Sequence, residues 1–482
     1  MKIHTKIRAG FLKYFQNTYK CEGVTVINRL MSRRDTDMTQ GPILSRLLPY
    51  AVTLSIGLIF QQLYNTVDTV VVGRFVGKEA LAAVGSTASI INMLVGLGAG
   101  LATGASVVVS QCYGAHDDEQ LSNAVHTTMA GTFIMSVITT AVGLLVVDPM
   151  LNLMKTPPDV MDSARCYLSI YFAGLTGLFV YNIGAGILSA VGDAQRPIYF
   201  LCISAVLNII FDLLFVIAFH MGVAGVAIAT ILSQALSAVF VMIVLTKDRA
   251  PYAICWKKIK LDSNMMKRIL SIGFPSAIQQ AVTAFSNVFV QGYINFFGSA
   301  CMAGWTSYNK IDIFILIPLQ CISMASTTFV GQNYGAGQIE RARQGARQSL
   351  KMSIIITTVL AVIVMILSPY MCRLFTPDRE VISYGVHFLR MIAPFYVICC
   401  FNQIFAGALR GIGNTKIPTV IMLFSFVLFR QIYLYTVKML GNNFNLISIA
   451  YPMGWVVCSI LMGIFYHYSL MGSGKKKTCT EA

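Results

Sequence analysis

The chain has 482 residues, 56% of them hydrophobic and 12% charged, with a mean hydropathy of +0.68. Soluble domains are about a quarter charged, so a water-facing globule and intrinsic disorder are both excluded, and a polytopic membrane protein is the default. The net charge of +16 comes from 36 basic and 20 acidic residues scattered through short gaps between apolar runs. That pattern speaks against a nucleic-acid-binding domain and for membrane topology.

In chain order, residues 1–40 form a basic, partly aromatic tail (Phe11, Tyr14, Phe15, Tyr19) without the apolar core of a signal peptide. It is expected to be disordered, and Met31 and Met38 offer alternative starts. Apolar runs long enough to cross about 30 Å of hydrocarbon follow. They lie near 47–72, 80–111, 122–147, 163–188, 197–219, 222–246, 268–296, 303–330, 349–369, 382–409, 417–438 and 444–468. The fold expected is thus all-α and integral to the membrane, with twelve spans. Residues 41–246 form a first six-helix lobe, 247–267 a basic linker, 268–470 a second lobe, and 471–482 a basic tail. With both termini on the cytoplasmic side, inside segments hold 26 basic residues and outside segments 7, which favours that orientation in a cell membrane. The twelve cysteines, from Cys21 to Cys479, show no C-x-x-C spacing and read as small hydrophobes.

The chain repeats itself at an offset of 221 residues. Gln111-Cys112-Tyr113-Gly114-Ala115 recurs as Gln332-Asn333-Tyr334-Gly335-Ala336, and the stretch from Ala185 to Pro197 recurs from Ala406 to Pro418. Each half carries six spans, so both enter the membrane with the same polarity. Two like bundles facing each other enclose a central cleft, where transporters bind solutes.

Ionisable groups at bilayer depth cost at least about 2.5–3.5 kcal/mol each and need a reason. Gln61, Asn65 and Asp68 share one face of the first span, and Ser204, Asn208 and Asp212 share one face of the fifth. Both carboxylates fall in the outer half of the bilayer, which suggests a common wet pocket suited to a proton or to a monovalent cation such as Na+. Thr230 and Asn182 could add neutral oxygens. In the second half Asp312, two residues after Lys310, is the only such acid, and an ion pair between the two is as reasonable as a functional role. Arg390 and Arg430 are other candidate partners for it. Thr283, Asn287 and Gln291 make an acid-free polar stripe on span seven.

Several runs carry a resemblance. They are Gln61-Gln62-Leu63-Tyr64-Asn65-Thr66-Val67-Asp68 leading to Val72-Gly73-Arg74, Gly186-Ile187-Leu188-Ser189-Ala190-Val191-Gly192-Asp193, Leu207-Asn208-Ile209-Ile210-Phe211-Asp212, Gly222-Val223-Ala224-Gly225-Val226-Ala227-Ile228-Ala229-Thr230 and Val330-Gly331-Gln332-Asn333-Tyr334-Gly335-Ala336. In this order and spacing the chain resembles the multidrug and toxic compound extrusion (MATE) family, closest to its bacterial DinF-like branch, over about residues 40–470. The resemblance implies an antiporter that exchanges H+ or Na+ for small organic cations by alternating access. It would work as a monomer among membrane lipid, with no cofactor, no nucleic-acid partner and no enzymatic activity. It also implies a coupling network in the first lobe at Asp68, Asn182, Asn208, Asp212 and Thr230, with no metal beyond Na+ at Asp68 and Asp212. The polar stripes and the lone second-half acid, read from the residues alone, add Gln61, Asn65, Thr283, Asn287 and Asp312 as accessory positions. Pro49 departs from the pattern by standing earlier than the family's span-one proline, with Val52 near the expected place. The rival within the superfamily is a lipid-linked oligosaccharide flippase, which would need a strongly basic cavity that only Lys310, Arg390 and Arg430 could supply. A sugar-facilitator-like protein, an intramembrane enzyme and a passive channel fit less well.

Overall fold

The computed structural model describes residues 36–472 except 77, 154–155 and 249; the side chains of some further residues, Asn65 and Asp68 among them, lie outside the described residues. Most of both tails, 1–35 and 473–482, lies outside as well.

The described residues are helical throughout, with no strand. The first bundle comprises α1 (Ile43–Val71), α2 (Lys78–Gly114), α3 (Asp118–Leu153), α4 (Pro158–Ala173), α5 (Leu175–Ala190), α6 (Gln195–Leu213) and α7 (Gly222–Lys247). The second comprises α8 (Ser263–Asn295), α9 (Ser299–Gly335), α10 (Ile339–Arg373), α11 (Arg379–Ile392), α12 (Tyr396–Gly411), α13 (Lys416–Leu423), α14 (Arg430–Met439), α15 (Phe444–Ser448) and α16 (Ala450–Gly472). Among the described residues, ten helical segments are long and apolar enough to cross a membrane, and eleven if α4 and α5, bent by 49° at Gly174, count as one. The remaining expected span, 268–296, is the continuous α8; its Gln279, Gln280, Asn287, Gln291 and Asn295 lower its apolar character.

One large cluster, from Val290 to Met462, lies within the second half and one from Ala83 to Phe179 within the first, while two more, from Leu101 to Ile272 and from Met38 to Ile404, cross between the halves. The halves meet where α2 crosses α8, with Gly100 and Gly104 against Gly273 and Ala277, small residues that let two backbones approach closely. Further along α2, Gly114 lies against the backbone of Gln332. These crossings fall in the part of α2 nearest the 247–263 linker, from Gly96 beside Gln280 to Gly114. The bundles are therefore zipped at the linker end. Beyond the zip, α8 exposes two opposite faces, one apolar (Phe274, Ile278, Phe289) and one carrying Gln280, Ala284 and Asn287. In a bilayer the first suits lipid and the second a wet cleft between the bundles.

The linker is docked rather than loose. His126 Nε2 accepts from the Cys255 N–H at 2.9 Å, and Asn123 Nδ2 donates to Asp262 at 3.1 Å. Asp262 caps α8 by accepting from the N–H groups of Asn264 and Met265, and these bonds hold its carboxyl below the usual range. Residues 36–40 correct the expectation of a disordered tail reaching residue 40. Met38 is fully buried, because its N–H donates to Gln332 Oε1 and its carbonyl accepts from Asn333 and Arg341, so this stretch satisfies its backbone inside the protein.

Candidate functional site

The polar stripe of α6 is buried along its whole length: Ser204, Asn208 and Asp212 are 4%, 1% and 0% exposed. It faces α7, where Thr230, Ser233 and Ser237 are also buried. Ser237 Oγ donates to Ser204 Oγ at 2.6 Å and fixes the antiparallel register. Eight residues on from Ser204 is Asp212, and eight before Ser237 is Ala229, so Asp212 stands level with the Ala229–Thr230 turn.

Helix α1 runs parallel to α6 and packs close to it where Gly57 meets Ile198. One apolar cluster, Val72, Tyr167, Val216, Val226 and Ala227, closes this region on the side away from the linker. Asp68 precedes Val72 by one turn, Asp212 precedes Val216 by one turn, and Thr230 follows Val226 by one turn on the antiparallel helix. All three positions thus lie just beneath one valine cap, at one height. This is a placement of the Asp68 backbone; its side chain, like that of Asn65, lies outside the described residues. Gln61 is half-buried two turns nearer the linker. Each of α1 and α6 passes into a π-helical turn within a few residues of its acid, Val72–Val76 and Leu214–Ala218. Such turns rotate the following side chains and often mark functional sites.

Two further facts set the chemistry. The Asn208 side-chain amide is buried, and neither its nitrogen nor its oxygen has a hydrogen-bond partner among the described residues. A buried unpaired amide costs about 1–3 kcal/mol, so this position favours a polar guest. Thr230 Oγ1 donates to the Val226 carbonyl at 3.0 Å, which leaves its lone pairs available to a proton donor or a cation.

Asn182 does not join this level. Gly177 packs on Ala235 and Gly184 on Val241, so Asn182 is level with residues 239–240 of α7, about 14 Å along the helix from Thr230. Its Nδ2 donates to Leu178 of its own helix at 2.9 Å.

The second bundle holds a different assembly. Asp312 accepts a short hydrogen bond from Tyr396, and no ion pair joins it to the exposed Lys310 among the described residues. Arg390 is exposed, and Arg430 is 3% exposed. Arg430 Nη2 donates to Ser286 Oγ at 2.8 Å and to Asn287 Oδ1 at 2.9 Å, and its guanidinium carbon lies 4.7 Å from the centre of the Tyr451 ring. Thr283 Oγ1 is buried without a partner among the described residues. The sequence reading singled out neither Tyr396 nor Tyr451, which look like any of the 21 tyrosines. Arg196 likewise looks like any other basic residue at a span end in the sequence. The structure buries that guanidinium completely against Asp193, Asp248 at 2.8 Å and Tyr252.

The described cysteines form no disulfide, and no group of three or more His, Cys, Asp or Glu is arranged to hold a metal among the described residues. What the first bundle offers is a carboxylate and a hydroxyl at matched height, with an amide one turn nearer the linker, inside a helical membrane protein built on a repeat. The family model described as MatE matches residues 54–214 and 272–436, one stretch in each half.

The chain belongs to the MATE family.

This MATE protein is a multi-pass membrane transporter and not an enzyme. It is 27% identical over 433 residues to the probable multidrug resistance protein YoeA of Bacillus subtilis, covering 87% of this chain and 92% of that one. The probable multidrug resistance protein YpnP of the same organism is 27% identical over 395 residues, 82% of this chain and 88% of the relative. Among solved structures, a MOP superfamily transporter from Pyrococcus furiosus superposes with a TM-score of 0.86 over 92% of this chain and 100% of that chain, at 24% identity.

Proposed function

We propose that this MATE transporter is a cation-coupled antiporter that exports small organic cations from the cytoplasm, with both termini on the cytoplasmic side of the cell membrane and one chain as the working unit. The observation that carries the reading is the alignment of Asp212, Thr230 and the Asp68 backbone beneath one valine cap, beside an Asn208 amide that has no partner among the described residues. Two acids one helix apart in poor solvent disfavour double ionisation, so they take up a proton or share a Na+ readily. The names of the Bacillus subtilis relatives support a multidrug cargo, and the basic linker end supports the orientation. With that end zipped, the cleft opens outward, the state that releases cargo and admits the coupling ion. Neutralising Asp68 and Asp212 would then free α1 and α6 to shift at their π turns. One charge crossing 100 mV supplies about 2.3 kcal/mol to such a cycle.

The flippase reading finds little support. Arg430 is engaged by Ser286, Asn287 and Tyr451, while Lys310 and Arg390 stand exposed rather than gathered in one basic cavity.

The test is reconstitution into vesicles with ethidium efflux followed under an imposed proton gradient and then a sodium gradient. Efflux driven by one of the two supports the reading and names the ion. Efflux indifferent to both contradicts coupling.

A further inference from the structure

The 221-residue repeat has a consequence at the zipped end. Gln111, near the C-terminus of α2, is 5% exposed, and its repeat mate Gln332, near the C-terminus of α9, is fully buried. Gln111 Nε2 crosses the seam and donates to the carbonyl of Gly411, the last residue of α12, at 2.9 Å. Gln332 Nε2 crosses in the other direction and donates to the carbonyl of Ala190, the last residue of α5, at 2.8 Å. Gly411 and Ala190 are themselves repeat mates, 221 residues apart. The contact is therefore two-fold and reciprocal. Gly114 and Gly335, another pair of mates, complete it: each lies so close to the opposite glutamine's backbone that a Cβ would not fit.

The chemistry explains the choice of residue. The last carbonyls of a helix have no partner within it and carry the negative end of its dipole. Four such ends, those of α2, α5, α9 and α12, converge here, and the ends of α5 and α12, at Ala190 and Gly411, are buried and need a donor. A carboxamide supplies a neutral donor and still has an oxygen to place. The two oxygens are satisfied differently. Gln111 Oε1 accepts from Arg268 Nη2 at 2.8 Å, and Gln332 Oε1 accepts from the Met38 N–H at 2.9 Å. Arg341 adds a cation by donating to the carbonyls of Met38 and Gly41. The latch is symmetric in what it grips and asymmetric in what locks it.

We propose that Gln111 and Gln332 form a reciprocal latch that closes the linker end of the cleft, each positioned to cap a helix of the opposite bundle. Parting the bundles breaks both bonds at once and hands the four groups to water. Each exchange is worth little net free energy, as a gate that must open in every cycle requires. Arg268 and the Met38 strap hold the latch shut in the state described here. Closure by the latch does not depend on which ion is coupled.

The test is hydrogen–deuterium exchange of the full chain in lipid nanodiscs, read on peptides covering 36–41, 189–194 and 410–415. Gln111→Glu and Gln332→Glu each keep the accepting oxygen and remove the crossing donor. Each is expected to speed exchange in those peptides about fivefold, the scale of one hydrogen bond, and the double variant more than either. Exchange at 128–143, inside α3 and touching α8 where Gly131 meets Met266, is expected to stay at the wild-type rate. Unchanged seam peptides in the double variant overturn the latch. A response to one glutamine alone overturns its two-fold character. An equal rise at 128–143 marks general loosening and overturns it too. The Gln111→Met and Gln332→Met pair, which keeps the shape and removes all bonds, must reproduce the effect.

Discussion

In the first bundle the buried polar groups are small, and they lie along two antiparallel faces beneath a valine cap: Ser204, Asn208 and Asp212 opposite Ser237, Ser233 and Thr230. In the second bundle the polar groups are clamped by aromatics. Tyr396 holds Asp312, Tyr451 stacks under Arg430, and Ser286 and Asn287 accept from the guanidinium. The two halves share a repeat and a helical plan, yet the Asp312 and Arg430 side chains of the second are held by named partners, while the Asn208 amide of the first has none among the described residues. A buried charge fixed by several partners stiffens a bundle. A carboxylate among hydroxyls and an amide without a partner among the described residues suits the proposed mobile ion. The proposed coupling chemistry is accordingly placed in the first bundle.

Substitutions can break that contrast, beginning with the strongest. Asp68→Asn and Asp212→Asn are each expected to cut gradient-driven ethidium efflux more than about 100-fold, the scale of removing a group the cycle cannot run without, while expression and melting temperature stay near wild type. Thr230→Val keeps the shape and removes the hydroxyl, so the coupling-ion concentration for half-maximal efflux should rise about tenfold, the worth of one hydrogen bond to a charged group. Arg430→Met should act on the fold instead. It leaves Ser286 and Asn287 without their donor and is expected to lower unfolding stability by about 1–3 kcal/mol, with the ratio of ions to ethidium unchanged in folded protein. Asn182→Ala should change efflux less than about twofold, because Asn182 lies about 14 Å below the Thr230 level and bonds to its own helix. A collapse of coupling in Arg430→Met, or of efflux in Asn182→Ala, would erase the division of labour between the bundles.

Much of this was readable in the residues, for identifiable reasons. The 3.6-residue period put Asn208 and Asp212 on one face, and the charge bracketing of each span set their depth, so burial of that stripe was legible. The similar heights of the Asp68 backbone and of Asp212 agree with the outer-half placement expected for both positions. Counting fails where a helix bends or slides. Asn182 misses the Thr230 level because α4 and α5 bend by 49° at Gly174 and because packing at Gly177 and Gly184 sets their offset from α7. The valine cap joins three helices through ordinary apolar residues, which carry no mark in a chain that is 56% hydrophobic. Tyr396 and Tyr451 were hidden among 21 like residues. The Met38 strap was masked by the basic composition around it, although its backbone needed only Gln332, Asn333 and Arg341 to be held.

The most direct measurement asks whether cargo and ion compete for the first bundle. Purified protein in weakly buffered detergent is mixed with ethidium, and proton release is read with a pH dye, with a parallel run following sodium release from sodium-loaded protein. Wild type is expected to release about one ion per ethidium bound, while Asp68→Asn and Asp212→Asn bind ethidium and release none. Undiminished release from both variants would contradict a coupling site at Asp68 and Asp212.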